Sequence, residues 1–532
     1  MRRSRFLRRS KIQIDMKRLF IFSTILVWMF STFCPSLEAQ WPVDPAENMQ
    51  LLINAINPVM VSDGFGGAIV VAPVLVSYPY LVSQRVDRDG YILWDKSLNG
   101  IEVAQKEDLD ITGAAQLLPD GHGGVFVAYN YCSFIGWIEE PPGPEFEYDV
   151  YVQHIDSSAT VLWGDRGVPV CTLAGNQIVE GIVTDAEGGM IVIWTNGGTH
   201  AQRLSGEGEI LWEENGEFVS SNILDLVVTD GMGGAILIPW LGPGGQRIDG
   251  DGEMLWNEEE IDPDVGISKE IASDGKGNII FSGSKRINGG IFLVVQKMNN
   301  NGNLLWQEGG VIISPEVDTQ TAISKIAADM SEGTVFTWRD TRTGDLNVYA
   351  QRVNELGEVE WEDGGILISS HESRKTDSEI TTGDSTGVMC VWLDYRNDKW
   401  DLYGQKLDSL GGKIWAEDDV TISIRDETSW DHQIISDSDG GAIVAWYETG
   451  WERGTFVQKV YRNGTLGGTK GDVNLDGTIN ILDVVRVVNI ILSNPPPPTE
   501  YELWSADFIE DGEINIQDII GIINRILGLD PR

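Results

Sequence analysis

From residue 41 to 468 the chain alternates short apolar runs with polar, glycine-rich turns. One phrase recurs: "SDGFGGAIVVA" at 62, "PDGHGGVFVAY" at 119, "TDAEGGMIVIW" at 184, "TDGMGGAILIP" at 229 and "SDSDGGAIVAW" at 436, with looser copies at 273, 328 and 383. A second phrase answers each, as in "VSQRVDRDGYILW" and "HAQRLSGEGEILW". Its glutamines are residues 84, 153, 202, 246, 296, 351, 405 and 458, and a tryptophan follows ten residues after each of the first seven. Asp-Gly between apolar runs is a hairpin signal, because such turns need positive φ. Each unit therefore predicts four short strands: one entering the D-G-x-G-G turn, one leaving it, the Q-R-V-D strand, and a fourth returning to the tryptophan. Four-stranded units repeating at this spacing predict an eight-bladed β-propeller over residues 40–468, so the fold class is mostly β.

Trp41 stands 22 residues before Asp63, as Trp163 stands before Asp185, while the eighth unit has Gly468 where its tryptophan belongs. "AQWPVDPAENMQ" thus reads as an orphan fourth strand that completes the last blade and closes the ring. The repeated tryptophans resemble those of quinoprotein-type eight-bladed propellers, where they pack between blades. The resemblance is architectural: the Asp-to-Trp spacing is one residue shorter and no vicinal cysteine pair exists, so no quinone cofactor is implied.

The first-to-second and third-to-fourth turns share one face and are regular. The second-to-third loops share the other face and vary, which is where function concentrates. The longest is "YCSFIGWIEEPPGPEFEY", 131–148. These loops offer Trp137, Trp400 and Trp451 as flat faces for a sugar ring or a peptide side chain. Asp340, Asp394 and Glu448 follow the second strands. Glycoside hydrolysis needs two carboxyls facing each other across a bond, and no spacing fixes such a pair here. No nucleophile elbow, phosphate-binding loop or zinc signature is present.

The C-terminal pattern differs. "GDVNLDGTINILDVVRVVNIIL" and "ADFIEDGEINIQDIIGIINRIL" are two similar segments on either side of "SNPPPPTEYELW". In the first, Asp472, Asn474, Asp476, Asn480 and Asp483 occupy loop positions 1, 3, 5, 9 and 12, with the Thr478 carbonyl at 7. Alternate side chains of such a loop converge on one oxygen-loving cation, and the last acid arrives on the following helix. In the second, Asp507, Asp511, Glu513, Asn515 and Asp518 take positions 1, 5, 7, 9 and 12, but Ile509 takes position 3, so this site is the weaker. Two loop–helix units with a closing Asp, joined through prolines, resemble a type I dockerin over residues 471–532. That resemblance implies two Ca2+ ions and docking to a cohesin-like module. Ile481–Leu482 and Ile516–Gln517 stand where many dockerins place Ser-Thr for the cohesin, which makes this partner surface more apolar.

Composition adds context. The 532 residues carry a formal charge of −43, which excludes nucleic acid and anionic membrane as natural partners. Lys17 and Arg18 precede the apolar run 19–33, and Ala39 ends a small-residue cleavage point, so residues 1–39 read as a secretory signal peptide. Of the remaining cysteines, Cys132, Cys171 and Cys390, the first two are candidates for a bond in an oxidising compartment. The leading function is a secreted, calcium-dependent assembly or binding protein in polysaccharide degradation. Its alternatives are a dockerin-anchored glycoside hydrolase or polysaccharide lyase, and a purely structural surface protein.

Overall fold

A computed structural model describes residues 41–529 except 75, 77–78, 105–114, 140–141, 318–321, 330–332, 385–386, 416–418, 469, 475–478, 499 and 510. The leader 1–39 and the candidate ligands Asp476 and Thr478 lie outside the described residues. The chain divides into two compact units that part between Thr469 and Lys470.

The larger unit contains eight antiparallel sheets. The first is Val59–Ser62, Ala68–Val74, Tyr80–Val86 and Ile101–Glu102, paired in that order. The first strand of each sheet touches the first strands of both neighbours, and the eighth touches the first. These strands are therefore innermost, and the sheets are the blades of a closed propeller.

One carboxylate builds each repeat. Asp63 Oδ1 accepts from the backbone N–H of Phe65 and Gly67, both at 2.8 Å, which folds the turn. Its Oδ2 takes the Arg85 guanidinium at 2.8 Å, from the residue after the motif glutamine. The pairing recurs as Asp230–Arg247 at 2.8 Å, Asp274–Lys297 at 3.0 Å and Asp437–Lys459 at 3.2 Å, with His154 facing Asp120 in the second blade. The last glycine of the motif is required: a Cβ on Gly67 would lie 2.3 Å from the Val86 carbonyl oxygen.

The fourth strand is not where the sequence pattern placed it. The stretch from the D-x-x-G turn to the tryptophan makes isolated bridges such as Val86↔Ile92, and the outer strand begins beyond the tryptophan. The buried glutamine explains the shift. Gln202 Oε1 accepts from Trp212 N at 3.1 Å and its Nε2 donates to the Glu213 carbonyl at 2.7 Å. A side chain thus takes the place of ladder bonds, and the indole is left to reach the next blade. Trp94, Trp212, Trp256, Trp306, Trp361 and Trp415 each donate Nε1–H to a carbonyl in the following blade's turn, at 2.9–3.2 Å.

The eighth blade repeats this arrangement with pieces from both ends of the unit. Trp41 Nε1 donates to the Arg88 carbonyl at 2.9 Å, and Gln458 Nε2 donates to the Pro42 carbonyl at 2.8 Å. The closing strand is Met49–Ile53, paired with Gly454–Val460; Trp41 itself lies ahead of it, outside any strand. Two further corrections concern regularity. The 131–148 stretch is no loop: Val125–Glu139 and Pro142–Ile155 run on as one long hairpin. The fourth blade has three regular strands, with a 3-10 turn, Glu258–Glu260, in the outer place. There Glu258 accepts from Ser220 Oγ at 2.8 Å and Asn222 Nδ2 at 2.7 Å, at the end of the third blade's outer strand, and Gly244 N donates to the Ile261 carbonyl at 2.7 Å. Cys132 and Cys171 are buried and form no disulfide. Strand Pro142–Ile155 separates their strands, which puts the two residues at least about 9–10 Å apart, beyond the roughly 7 Å reach of a disulfide.

Closure by the N-terminal segment predicts a measurable dependence. Trp41→Ala, at a buried position, should cost about 3–5 kcal/mol and lower the melting temperature. Deleting residues 40–55 should lower it further. Thermal scanning of both variants decides, and unchanged melting would contradict closure by this strand.

Candidate functional site

The smaller unit has three helices: α1, Ile481–Ile491; α2, Glu500–Ala506; and α3, Ile516–Ile526. The sequence pattern missed α2, which precedes the second loop inside the stretch taken as a linker. It is anchored from outside: Arg486 on α1 pairs with Glu502, and Lys470 Nζ donates to the Trp504 and Asp507 carbonyls at 2.7 and 2.8 Å.

Both loops close on a capping box. Asn480 caps α1, and the buried Asp483 accepts from Val473 N at 2.7 Å, Asn474 N at 3.1 Å and Asn480 N at 2.8 Å. Asn515 caps α3, and the buried Asp518 accepts from Ile509 N at 3.1 Å and Asn515 N at 2.8 Å. The closing acid of each loop therefore ties the loop's start to the helix N-terminus. Asp472 is buried as well. Two buried carboxylates on one short loop suit a hard divalent cation. Calcium supplies positive charge that draws such carboxylates together. Among the described residues no three acidic groups already face a common point.

The second loop is built differently. Asp507 accepts from Asp511 N and Gly512 N, both at 3.2 Å, and Asp511 accepts from Glu513 N at 2.9 Å. Ile509 packs against the apolar cluster of Val473, Ile479, Val484, Val487, Phe508 and Ile522. Position 3 thus serves the core rather than a cation. On the outside, Ile481, Val485 and Leu492 of the α1 segment are exposed, and Ile516, Ile520 and Leu527 repeat them on the α3 segment. Leu482 and Gln517 are exposed beside them.

On the propeller's irregular face the three candidate carboxylates are buried and committed. Asp340 binds Arg342, with Nε at 2.7 Å. Asp394 takes Arg396 at 2.6 Å and Ser373 Oγ at 2.7 Å; these bonds outweigh burial and hold its pKa below the ordinary value. Glu448 takes Arg425 and Trp446 Nε1, both at 2.8 Å, yet burial dominates and raises its pKa. Each guanidinium lies over a third-strand ring: Arg342 on Tyr349 at 4.0 Å, Arg396 on Tyr403 at 3.7 Å, Arg425 on Phe456 at 4.3 Å. Sequence reasoning missed Arg425, which comes from the preceding inter-blade connection. Of the three tryptophans, Trp137 and Trp451 are exposed, by 73% and 100%. Trp400 is half-buried, with Arg374 5.7 Å over its ring and Tyr395 edge-on at 5.1 Å.

The inner strands of blades five to seven bring Glu270, Lys325 and Glu379 to matching positions, with Lys325 Nζ 3.3 Å from Glu379 Oε1. Burial pushes the Glu379 pKa up to about 7 against the pull of Lys325, and Glu270 and Asp377 add to the rise. Burial likewise lowers the neighbouring strand's His432 to about 4.

Residues 470–527 match the Dockerin type I domain family. Type I dockerins bind calcium and dock to cohesin modules. No curated protein matches the chain. Among solved structures the chain is similar to an ulvan lyase of polysaccharide lyase family PL25, bound to -[GlcA(1-4)Rha3S]-, with 12% identity, a TM-score of 0.43, and 80% of this chain and 98% of that chain covered. It is similar also to a protein of unknown function from Dyadobacter fermentans, with 11% identity, a TM-score of 0.36 and coverage of 78% and 98%. A third is the BP39L lectin from Burkholderia pseudomallei, with 10% identity, a TM-score of 0.38 and coverage of 64% and 94%. Likenesses at this level carry no inference about activity. No helix among the described residues is long and apolar enough to cross a membrane.

Two predictions follow from these geometries. Calorimetric titration of the calcium-stripped chain should resolve two unequal sites. Asp472→Ala should weaken the tighter by about tenfold or more, equivalent to about 1.4 kcal/mol, and disturb the fold more than Asp507→Ala. Two equal sites would contradict the assignment of Ile509. For pH, folded Glu379 keeps its proton up to about 7 against a reference of 4.5, so its contribution to stability falls as pH rises through that interval. His432, at about 4 against 6.5, opposes it, because stability is lost as pH falls below 6.5. Glu379→Gln removes only the first slope. The variant's melting temperature relative to the parent should therefore rise from pH 5 to pH 8, and a flat difference would contradict the shift.

Proposed function

We propose that the chain is a secreted, calcium-dependent assembly protein: a leader at 1–39, a propeller at 40–468, and a dockerin at 469–532 that docks to a cohesin-like module. The propeller's irregular face holds a glycan or protein ligand, and the whole serves polysaccharide degradation outside the cell. The observation that carries this is the pair of matching apolar stripes, Ile481/Val485/Leu492 and Ile516/Ile520/Leu527, exposed on the dockerin-matching segment. An uncovered apolar surface of that kind marks a partner site. The commitment of Asp340, Asp394 and Glu448 to arginines supports binding over hydrolysis, since a catalytic carboxyl needs an oxygen that faces its substrate.

The test is capture by a panel of cohesin modules in calcium and in chelator. Ile481→Glu with Ile516→Glu, both at exposed positions, should leave the calcium-loaded fold intact and weaken capture by about a hundredfold, near 2.7 kcal/mol. Equal capture in chelator, or by the double variant, would remove the docking role. Turnover on a neutral or acidic polysaccharide panel would shift the propeller to the enzymatic alternative.

A further inference from the structure

Three distant parts of the sequence meet on the irregular face where the ring closes. They enclose a cleft of about 390 Å³, lined by Ala46, by residues 424–427 and by residues 448, 449, 451 and 452. We infer that this cleft is a glycan subsite that holds one or two uncharged sugar rings against Trp451. The inference rests on the propeller being a binding module and assigns that module's ligand class.

The cleft is preformed. Ile424 N donates to the Pro45 carbonyl at 3.0 Å, which ties the inter-blade connection to the N-terminal segment. Gln50, on the closing strand, donates through Nε2 to the carbonyls of Glu452 and Arg453 at 3.1 and 3.3 Å. Arg453 Nε in turn donates to Asn54 Oδ1 at 2.8 Å. Gly450 has a φ of +103°, and a Cβ there would lie 2.2 Å from the Glu427 carboxyl carbon. The loop that presents Trp451 is therefore pinned on both sides, and its indole is wholly exposed. A fully exposed aromatic on a pinned backbone offers a flat apolar face, and its binding orders a side chain but not the loop.

The polar groups fit hydroxyls. Arg425 is fixed by Glu448 at 2.8 Å and Glu452 at 2.7 Å, so its guanidinium and their carboxylates present donors and acceptors side by side, the pattern adjacent ring hydroxyls require. Charge selects further. Asp426, Glu427, Glu448 and Glu452 face one cation, Arg425, on a chain of net charge −43. Uronate and sulfate groups are repelled. Glu448 and Glu452 already have a hydrogen-bonded partner in Arg425, but its single charge leaves the lining acidic, so the titration includes a cationic probe. The volume sits near the low end of the roughly 300–1,000 Å³ of small-molecule sites, which limits the occupant to a ring or two.

The experiment is titration of the full calcium-loaded chain, followed by calorimetry and tryptophan fluorescence. The probes are gluco-, manno- and xylo-oligosaccharides, oligogalacturonate and a lysine-rich peptide. One neutral oligosaccharide should bind. Trp451→Ala should weaken it at least tenfold and Glu427→Gln several-fold, both with unchanged melting. Leu410→Ala, on the opposite face, should leave binding as it was. The cleft assignment fails if no neutral oligosaccharide binds, if binding ignores Trp451→Ala, or if oligogalacturonate or the peptide is the ligand lost in that variant. Binding lost in Trp137→Ala instead would overturn the cleft and keep the binding module. Absence of any propeller ligand would overturn both.

Discussion

The propeller depends on one borrowed strand. Seven blades are completed by residues that directly follow their own glutamine–tryptophan hairpin. The eighth is completed by Met49–Ile53, which in sequence precedes everything else in the ring. A sheet ring left open would expose the unpaired edge of Gly454–Val460. It would also leave Trp41, one of the largest fully buried side chains, without its Arg88 carbonyl. Because every inner strand leans on two neighbours, a loss at the seam is felt around the ring rather than in one blade.

That seam was legible because its parts keep the repeat's spacing. Trp41 falls where a tryptophan should, and the last unit lacks one. The glutamines and the Asp–Gly turns were legible for the same reason: each is fixed by backbone geometry that recurs in every blade. The fourth strand was misplaced because its partner bonds come from a side chain. Gln202 occupies the Trp212 and Glu213 backbone groups, so an apolar run that looks like a strand makes a single bridge. Helix α2 was missed because seven residues carry too little periodicity, and an outside ion pair, Arg486–Glu502, settles them. Arg425 was missed because nothing local connects it with Glu448, 23 residues further on; only the blade-to-blade geometry does.

The irregular face shows how an acidic scaffold keeps its carboxylates in place. A buried carboxylate without a partner is costly. Asp340, Asp394 and Glu448 each receive an arginine, and each arginine is itself held over an aromatic ring. Such clamps fix the bases of the loops and leave only their tips free to differ. The tips are where Trp137 and Trp451 stand exposed, one on an extended hairpin and one beside the seam.

The same accounting separates the C-terminal unit from the ring. Turn aspartates of the blades are met from within, by the Arg, Lys or His after the glutamine. The C-terminal unit's described basic residues are Lys470, Arg486 and Arg525. Lys470 donates to backbone carbonyls, Arg486 holds Glu502, and Arg525 lies in the last turn of α3. Its apolar core is small, and a small core cannot offset several like charges on one loop. Type I dockerins bind calcium, and a cation offsets like charges of this kind. In the second loop the third position, Ile509, packs into that core.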